Sequence, residues 1–227
     1  MRSFFKFFLI VLSSVSLPAS AQQYDLWQWT TLSVDKKLNS RFSASFDEEV
    51  RWYENISQFN LSYTNVGASY KVSKIFKVAV VYRFLQKGQS DGSISFRHRF
   101  YTDLSLKNKF GIFALGYRCR LQTQIRDVNS SSDGTVPESY WRNKFDIKFD
   151  FNKPLVPYIA AEFRYQFGND RLKEANYLFN RGRYYVGLDY KLSPKSSVGT
   201  YYMMQWEYNV KNPGRYSVLG LTYGLSL

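Results

Sequence analysis

The sequence predicts an all-β fold, a transmembrane antiparallel β-barrel of ten strands, with twelve as the alternative count. Three observations predict it. Apolar residues recur at every second position over segments of about 11–15 residues, longer than a soluble strand and long enough to cross a bilayer at a tilt. Short connections such as VSKIF, LKNK, FNKPLV and LSPKS alternate with longer or more polar ones such as FLQKGQSDGS, RDVNSSSDGTVPES, GNDRLKEANYLFNRG and VKNPGR. The terminal run YSVLGLTYGLSL is a ladder in which Leu219, Leu221, Tyr223, Leu225 and Leu227 face one way and Gly220, Thr222, Gly224 and Ser226 the other. A greasy face of that kind needs lipid or a covering layer. In a closed barrel it meets lipid, and the last strand is no longer an edge.

The elements follow in order. MRSFFKFFLIVLSSVSLPASA has two cations, a short apolar run and the small-x-small ending Ala19-Ser20-Ala21, so residues 1–21 read as a secretory signal peptide. Residues 22–36 hold a strand-like segment, with Trp27 and Trp29 on one face and Leu26, Leu32 and Val34 on the other. It is expected to lie beside the barrel, because counting it gives eleven strands and bacterial barrels are even-numbered. Residues 37–227 are the barrel itself. Strands lie near Leu38–Trp52 and Gln58–Val72, then from Phe76, Ile94, Phe113, Trp141, Tyr158, Arg183 and Val198, with the terminal ladder as the tenth. Trp52, Trp141, Trp206 and Tyr208 are expected in the aromatic girdles at the membrane interfaces.

Composition agrees. Aromatic residues make up 19% of the chain, yet charged residues make up 22%, which fits strands that are apolar on one side only. The single cysteine, Cys119, rules out an internal disulfide. The formal charge is +13, or +11 once Arg2 and Lys6 leave with the signal peptide, which makes anions plausible partners. Export argues against nucleic acid. A water-soluble exported sandwich or lipocalin-like barrel is the competing fold.

The run DLWQWTTLSVDKKLNSRFSASFDEEVRWYEN combines an aromatic strand, a KKLN turn and an EEVRW strand end. In this it resembles a family of Bacteroidota outer-membrane β-barrels that is catalogued only as a domain of unknown function. The resemblance extends over the mature chain and implies a barrel without implying any catalytic or ligand residue. The terminal ladder is also similar to the closing-strand assembly signal of outer-membrane proteins, with Leu227 where Phe is usual.

Period-two parity assigns the inner face. Arg83, Arg97, Arg99, Arg118, Arg120, Arg126, Arg142, Lys144 and Arg164 fall on it, opposed by Asp103, Asp146, Asp150, Glu162, Asp189 and Glu207. If the FNKPLV turn centres on Lys153, Lys144 lies opposite Glu162 and Arg142 opposite Arg164. The first functional reading is a structural barrel whose lumen is closed by paired charges, since buried ions need partners. The alternatives are a narrow anion-preferring channel or transporter, and an interaction protein using the loop with Tyr177, Leu178 and Phe179. A lipid-modifying barrel enzyme is more remote. It would use His98, the sole histidine, on the lipid face beside Tyr117 or Cys119, but no orienting Ser, Asp or Asn is evident. No metal spacing or phosphate-cradling loop appears, so no cofactor and no enzymatic activity are called for. The expected setting is the outer membrane, as a monomer, with lipid, periplasmic chaperones and the barrel-assembly machinery as partners.

Overall fold

Eleven strands close into one barrel. The computed structural model describes residues 25–127, 136–169, 176–210 and 212–227. The expected signal peptide lies outside these residues, as does much of the two longest connections. In chain order the strands are β1 (Asp25–Lys37), β2 (Phe42–Tyr53), β3 (Gln58–Lys71), β4 (Phe76–Gly88), β5 (Ile94–Phe110) and β6 (Phe113–Arg126). They continue as β7 (Glu138–Phe149), β8 (Leu155–Asn169), β9 (Leu178–Lys191), β10 (Ser196–Glu207) and β11 (Arg215–Ser226). Each pairs antiparallel with the next in sequence, and β1 closes the ring on β11.

That closure decides the strand count. The segment expected beside a ten-stranded barrel is a full stave, β1, with register running from Asp25↔Tyr216 to Asp35↔Ser226. An odd number of alternating staves can close only through one parallel pair, and β1–β11 is that pair. The main-chain ladder continues past it, with Lys37 N–H donating to the Leu227 carbonyl at 3.0 Å and Leu227 N–H to the Asp35 carbonyl at 2.8 Å. At the far end of β1 the Asp25 carboxylate accepts the Asn55 N–H at 2.9 Å and the Trp27 indole N–H at 2.5 Å. Across the seam at that end the Trp27 ring packs on Tyr216 of β11, with centroids 4.6 Å apart.

Five short connections gather at one end, here called the turn end, and the longer ones lie at the loop end together with the four-residue β2–β3 connection. Three turns use one device, with a small polar residue in second place accepting two backbone donors. Asn39 Oδ1 takes the N–H groups of Arg41 and Phe42 at 2.8 Å each. Ser73 Oγ takes those of Ile75 and Phe76 at 3.3 and 3.1 Å, and Ser193 Oγ those of Lys195 and Ser196 at 3.2 and 3.0 Å. The LKNK run is not a turn. It belongs to β5, and the chain reverses at Gly111, whose φ of 58° is open to glycine and strained for most other residues.

The wall is inside out relative to a soluble barrel. Val66, Val80, Phe100, Phe145, Val186 and Leu221 are each more than half exposed and point outward. The buried apolar cluster is only Trp29, Met203 and Val218. A continuous apolar belt with a polar interior is the arrangement of a barrel surrounded by lipid. Trp52, Trp141 and Trp206 are all partly exposed on the outer surface toward the loop end, as a girdle requires.

Candidate functional site

Alternation along each strand sends every second side chain inward, and on β2 and β4–β9 many of these are cationic. They surround a cavity of about 890 Å³. Thirteen Arg or Lys side chains line it against five Asp or Glu. Arg83, Arg97, Arg99, Arg118, Arg120, Arg142, Lys144, Arg164, Glu162 and Glu207 are all in its wall. The expected register across the β7–β8 turn holds, with Arg142 opposite Arg164 and Lys144 opposite Glu162. Asp189 sits nearer the turn end, where it accepts from Lys148 Nζ at 2.6 Å. Asp150 is outside the lumen, in the β7–β8 turn, held by Lys109 Nζ at 2.9 Å.

The acidic groups pin the arginines. Glu162 is 3% exposed and receives three of them, Arg142 at 2.5 Å, Arg118 at 2.7 Å and Arg183 at 3.3 Å. Arg118 belongs to β6 and Glu162 to β8, so this contact passes over β7 and braces three staves. Asp103 holds Arg120 through two parallel bonds of 2.6 and 2.7 Å, the fork geometry of arginine and carboxylate. Glu207 accepts from Arg181. Glu49 accepts from Arg51 Nε at 2.5 Å and from Thr31 Oγ at 2.8 Å.

Arg83, Arg99 and Arg164 have no carboxylate at hand among the described residues and are steadied by amides and rings. Arg83 donates to Asn65 Oδ1 at 2.7 Å and lies 3.4 Å above the Tyr63 ring. Arg99 donates twice to Gln124 Oε1, at 3.1 and 2.5 Å. Arg164 donates to Asn180 Oδ1 at 2.7 Å and stands 4.5 Å from the Tyr140 ring. An amide or a ring quadrupole orients a guanidinium without cancelling its charge. The lumen therefore keeps a net positive charge even though its side chains are ordered.

Aromatic side chains share the same lumen. Trp29 of β1 is 3% exposed and lies between Arg51, 3.5 Å from its ring, and Arg183, at 5.2 Å. Tyr185 and Tyr201 pack beside it. The Glu49–Arg51 pair, outside the set of inner charges expected from Arg83 onward, also lies inward, as its parity on β2 allows. Arg181 was hidden because its segment reads as loop, and Trp29 because its strand was expected outside the barrel.

His98 does face outward, but its cross-strand neighbours are Phe84 and Ile125, not Tyr117 or Cys119. The change follows from the position of the β5–β6 turn at Gly111. Its ring nitrogens meet the Tyr82 hydroxyl at 2.7 Å and Asp127 at 3.5 Å. Cys119 instead accepts from the Trp141 indole N–H at 3.0 Å, and Tyr117 donates to Asn143 at 2.7 Å. Among the described residues no group of three or more His, Cys, Asp or Glu is placed to hold a metal ion.

No curated protein matches the chain. Among solved structures it is similar to a KdgM porin in complex with disordered oligogalacturonate, at 18% identity and a TM-score of 0.44, over 82% of this chain and 86% of that one. A likeness that low assigns neither ligand nor activity. The family profile described as protein of unknown function (DUF2490) matches residues 28–216, from the first stave to the last, and the chain belongs to that family.

Proposed function

We propose that this protein is an outer-membrane barrel whose lumen admits and passes small anionic solutes. The observation that carries the reading is the surplus of thirteen cationic over five anionic side chains around one cavity. In a confined, poorly hydrated lumen such a surplus repels cations and lowers the energy of an entering anion. The apolar outer belt supports the membrane setting. Cleavage after Ala21, delivery by periplasmic chaperones, insertion by the barrel-assembly machinery, a monomeric state and a Bacteroidota origin complete the proposal.

Planar-bilayer recording of the refolded chain 22–227 tests it. Under a KCl gradient the reversal potential is expected to show anion preference. Replacing Arg118 and Arg120 by Gln is expected to move that potential toward zero. A protein that is silent, yet folded by heat-modifiable gel migration, would refute passage. The second reading, a lumen shut by its own ion pairs, is favoured by the three arginines that converge on Glu162. It predicts silence in wild type and conductance in Glu162→Gln.

A further inference from the structure

The register sets like charges side by side in a way that ion pairing alone does not require. Arg120 of β6 is the direct cross-strand partner of Arg142, Arg142 of Arg164, and Arg164 of Arg181. Four neighbouring staves thus place one arginine each in a single row across the inner wall. Directly opposed like charges destabilise a sheet. Elsewhere on the same wall Arg83 faces Arg99 and Arg97 faces Arg126.

The row is only partly neutralised. Asp103 holds Arg120, Glu207 holds Arg181, and Arg142 shares Glu162 with two other arginines. Among the described residues Arg164 meets the Asn180 amide and the Tyr140 ring and no carboxylate. The Nε–H donors of Arg142 and Arg181 are buried without an acceptor. So is the indole N–H of Trp29, whose ring lies 5.2 Å from Arg183 of β9. Buried donors without a protein acceptor are rare in folded proteins, and those beside this row are open to acceptors that water or a ligand supplies.

We propose that the row Arg120–Arg142–Arg164–Arg181 is a built site for a linear polyanion carrying one carboxylate or phosphate group per arginine. Direct cross-strand neighbours stand about 5 Å apart, which sets the charge spacing the ligand must offer. A chain of oxyanions would stack along the row, take up the free donors and relieve the repulsion. A monovalent anion could satisfy one position and leave the others. The site deepens the reading of the lumen as an anion chamber, since it adds preference for charge number and spacing.

The test is isothermal titration of the refolded full barrel in detergent at constant ionic strength. The titrants are acetate, succinate, tricarballylate and butane-1,2,3,4-tetracarboxylate, with tripolyphosphate as the phosphate arm. Affinity is expected to rise about fivefold or more with each added carboxylate, because each new charge-assisted contact is made without a second loss of translational freedom. Arg164→Gln is expected to flatten the series above two carboxylates. Arg164→Lys keeps the charge and should restore part of it, while Arg41→Gln at the turn end should leave it unchanged. If Arg164→Gln does not fold, Arg181→Gln carries the same expectation. Tighter binding of tripolyphosphate than of the carboxylates would assign the row to phosphate chains, and the reverse to polycarboxylates. Equal affinity for acetate and the tetracarboxylate, or a series insensitive to both substitutions, would overturn the site. Anion-selective currents with a flat series would sink the row and keep the passage. A steep series in a silent barrel would do the opposite.

Discussion

Glu162 is the residue on which the lumen's order depends. It is buried, and three guanidiniums reach it from three strands. Removing one member of a buried ionic group leaves uncompensated charge, a loss of about 3 kcal/mol or more. Glu162→Gln is therefore expected to lower the urea unfolding midpoint of the refolded barrel and to strengthen any anion preference. An unchanged midpoint would mean that water, not Glu162, holds these arginines. Gly220 matters for a different reason. A side-chain carbon there would sit 2.0 Å from the Tyr201 ring, which covers this glycine from the next strand. Such pairing lets a ring fill the gap that a glycine leaves in a sheet. Gly220→Val is expected to displace Tyr201 into the lumen and reduce the folded, heat-modifiable fraction, whereas Gly168→Val, where a side-chain carbon meets only an ordinary 3.5 Å contact with Ser139, should be far milder.

At the scale of the element, β1 is the decisive one. Its inner face supplies Trp27, Trp29 and Thr31 to the cavity, and its two edges complete the ring. Parallel pairing to β11 makes a sharp geometric statement, because Thr30 and Leu221 are direct partners on the outer face. In a Cys119→Ser background, the pair Thr30→Cys with Leu221→Cys is expected to cross-link under mild oxidation in the folded barrel. Thr30→Cys with Leu225→Cys should not, since four residues of strand separate them by about 13 Å. Efficient linkage in the second pair alone would displace the β1–β11 register. The turns belong to this scale too. Asn39, Ser73 and Ser193 each satisfy two backbone donors, so three reversals at the turn end are specified locally and independently of closure.

For the whole molecule, the distribution of polarity is the governing fact. Large apolar side chains cover the outside, and charge fills the inside. Val80 lies on the outer face of β4 and is 56% exposed. An arginine at a lipid-facing position costs about 2–4 kcal/mol near the bilayer midplane. Val80→Arg is expected to destabilise the barrel by this order in bilayers and to have little effect if the outer wall meets water. Equilibrium unfolding of vesicle-embedded protein separates the two. The same distribution explains why the lumen is a candidate site at all. Rings and amides fix its guanidiniums, and the carboxylates are too few to neutralise them.

The sequence by itself determined which face most side chains within the strands take. Period two put Arg83, Arg118, Arg142, Lys144 and Arg164 inside and Val80, Phe100 and Leu221 outside, because a strand leaves no other choice once one face is apolar. It also determined the β7–β8 register, since a short turn ties both strands to the same few residues. Only the tertiary structure decided the rest. Parity is blind to a shift by any even number of residues, so the true β5–β6 turn at Gly111 moved His98 away from Tyr117 and Cys119. The bulges at Arg51/Trp52, Ser139/Tyr140 and Arg164/Tyr165 shift the register where alternation gives no warning. Closure made β1 a stave and brought Trp29 within reach of Arg183, two residues far apart in the chain whose meeting depends on the ring being complete. The convergence of Arg118, Arg142 and Arg183 on Glu162 spans four strands, and no local pattern encodes a contact across that much of a curved wall.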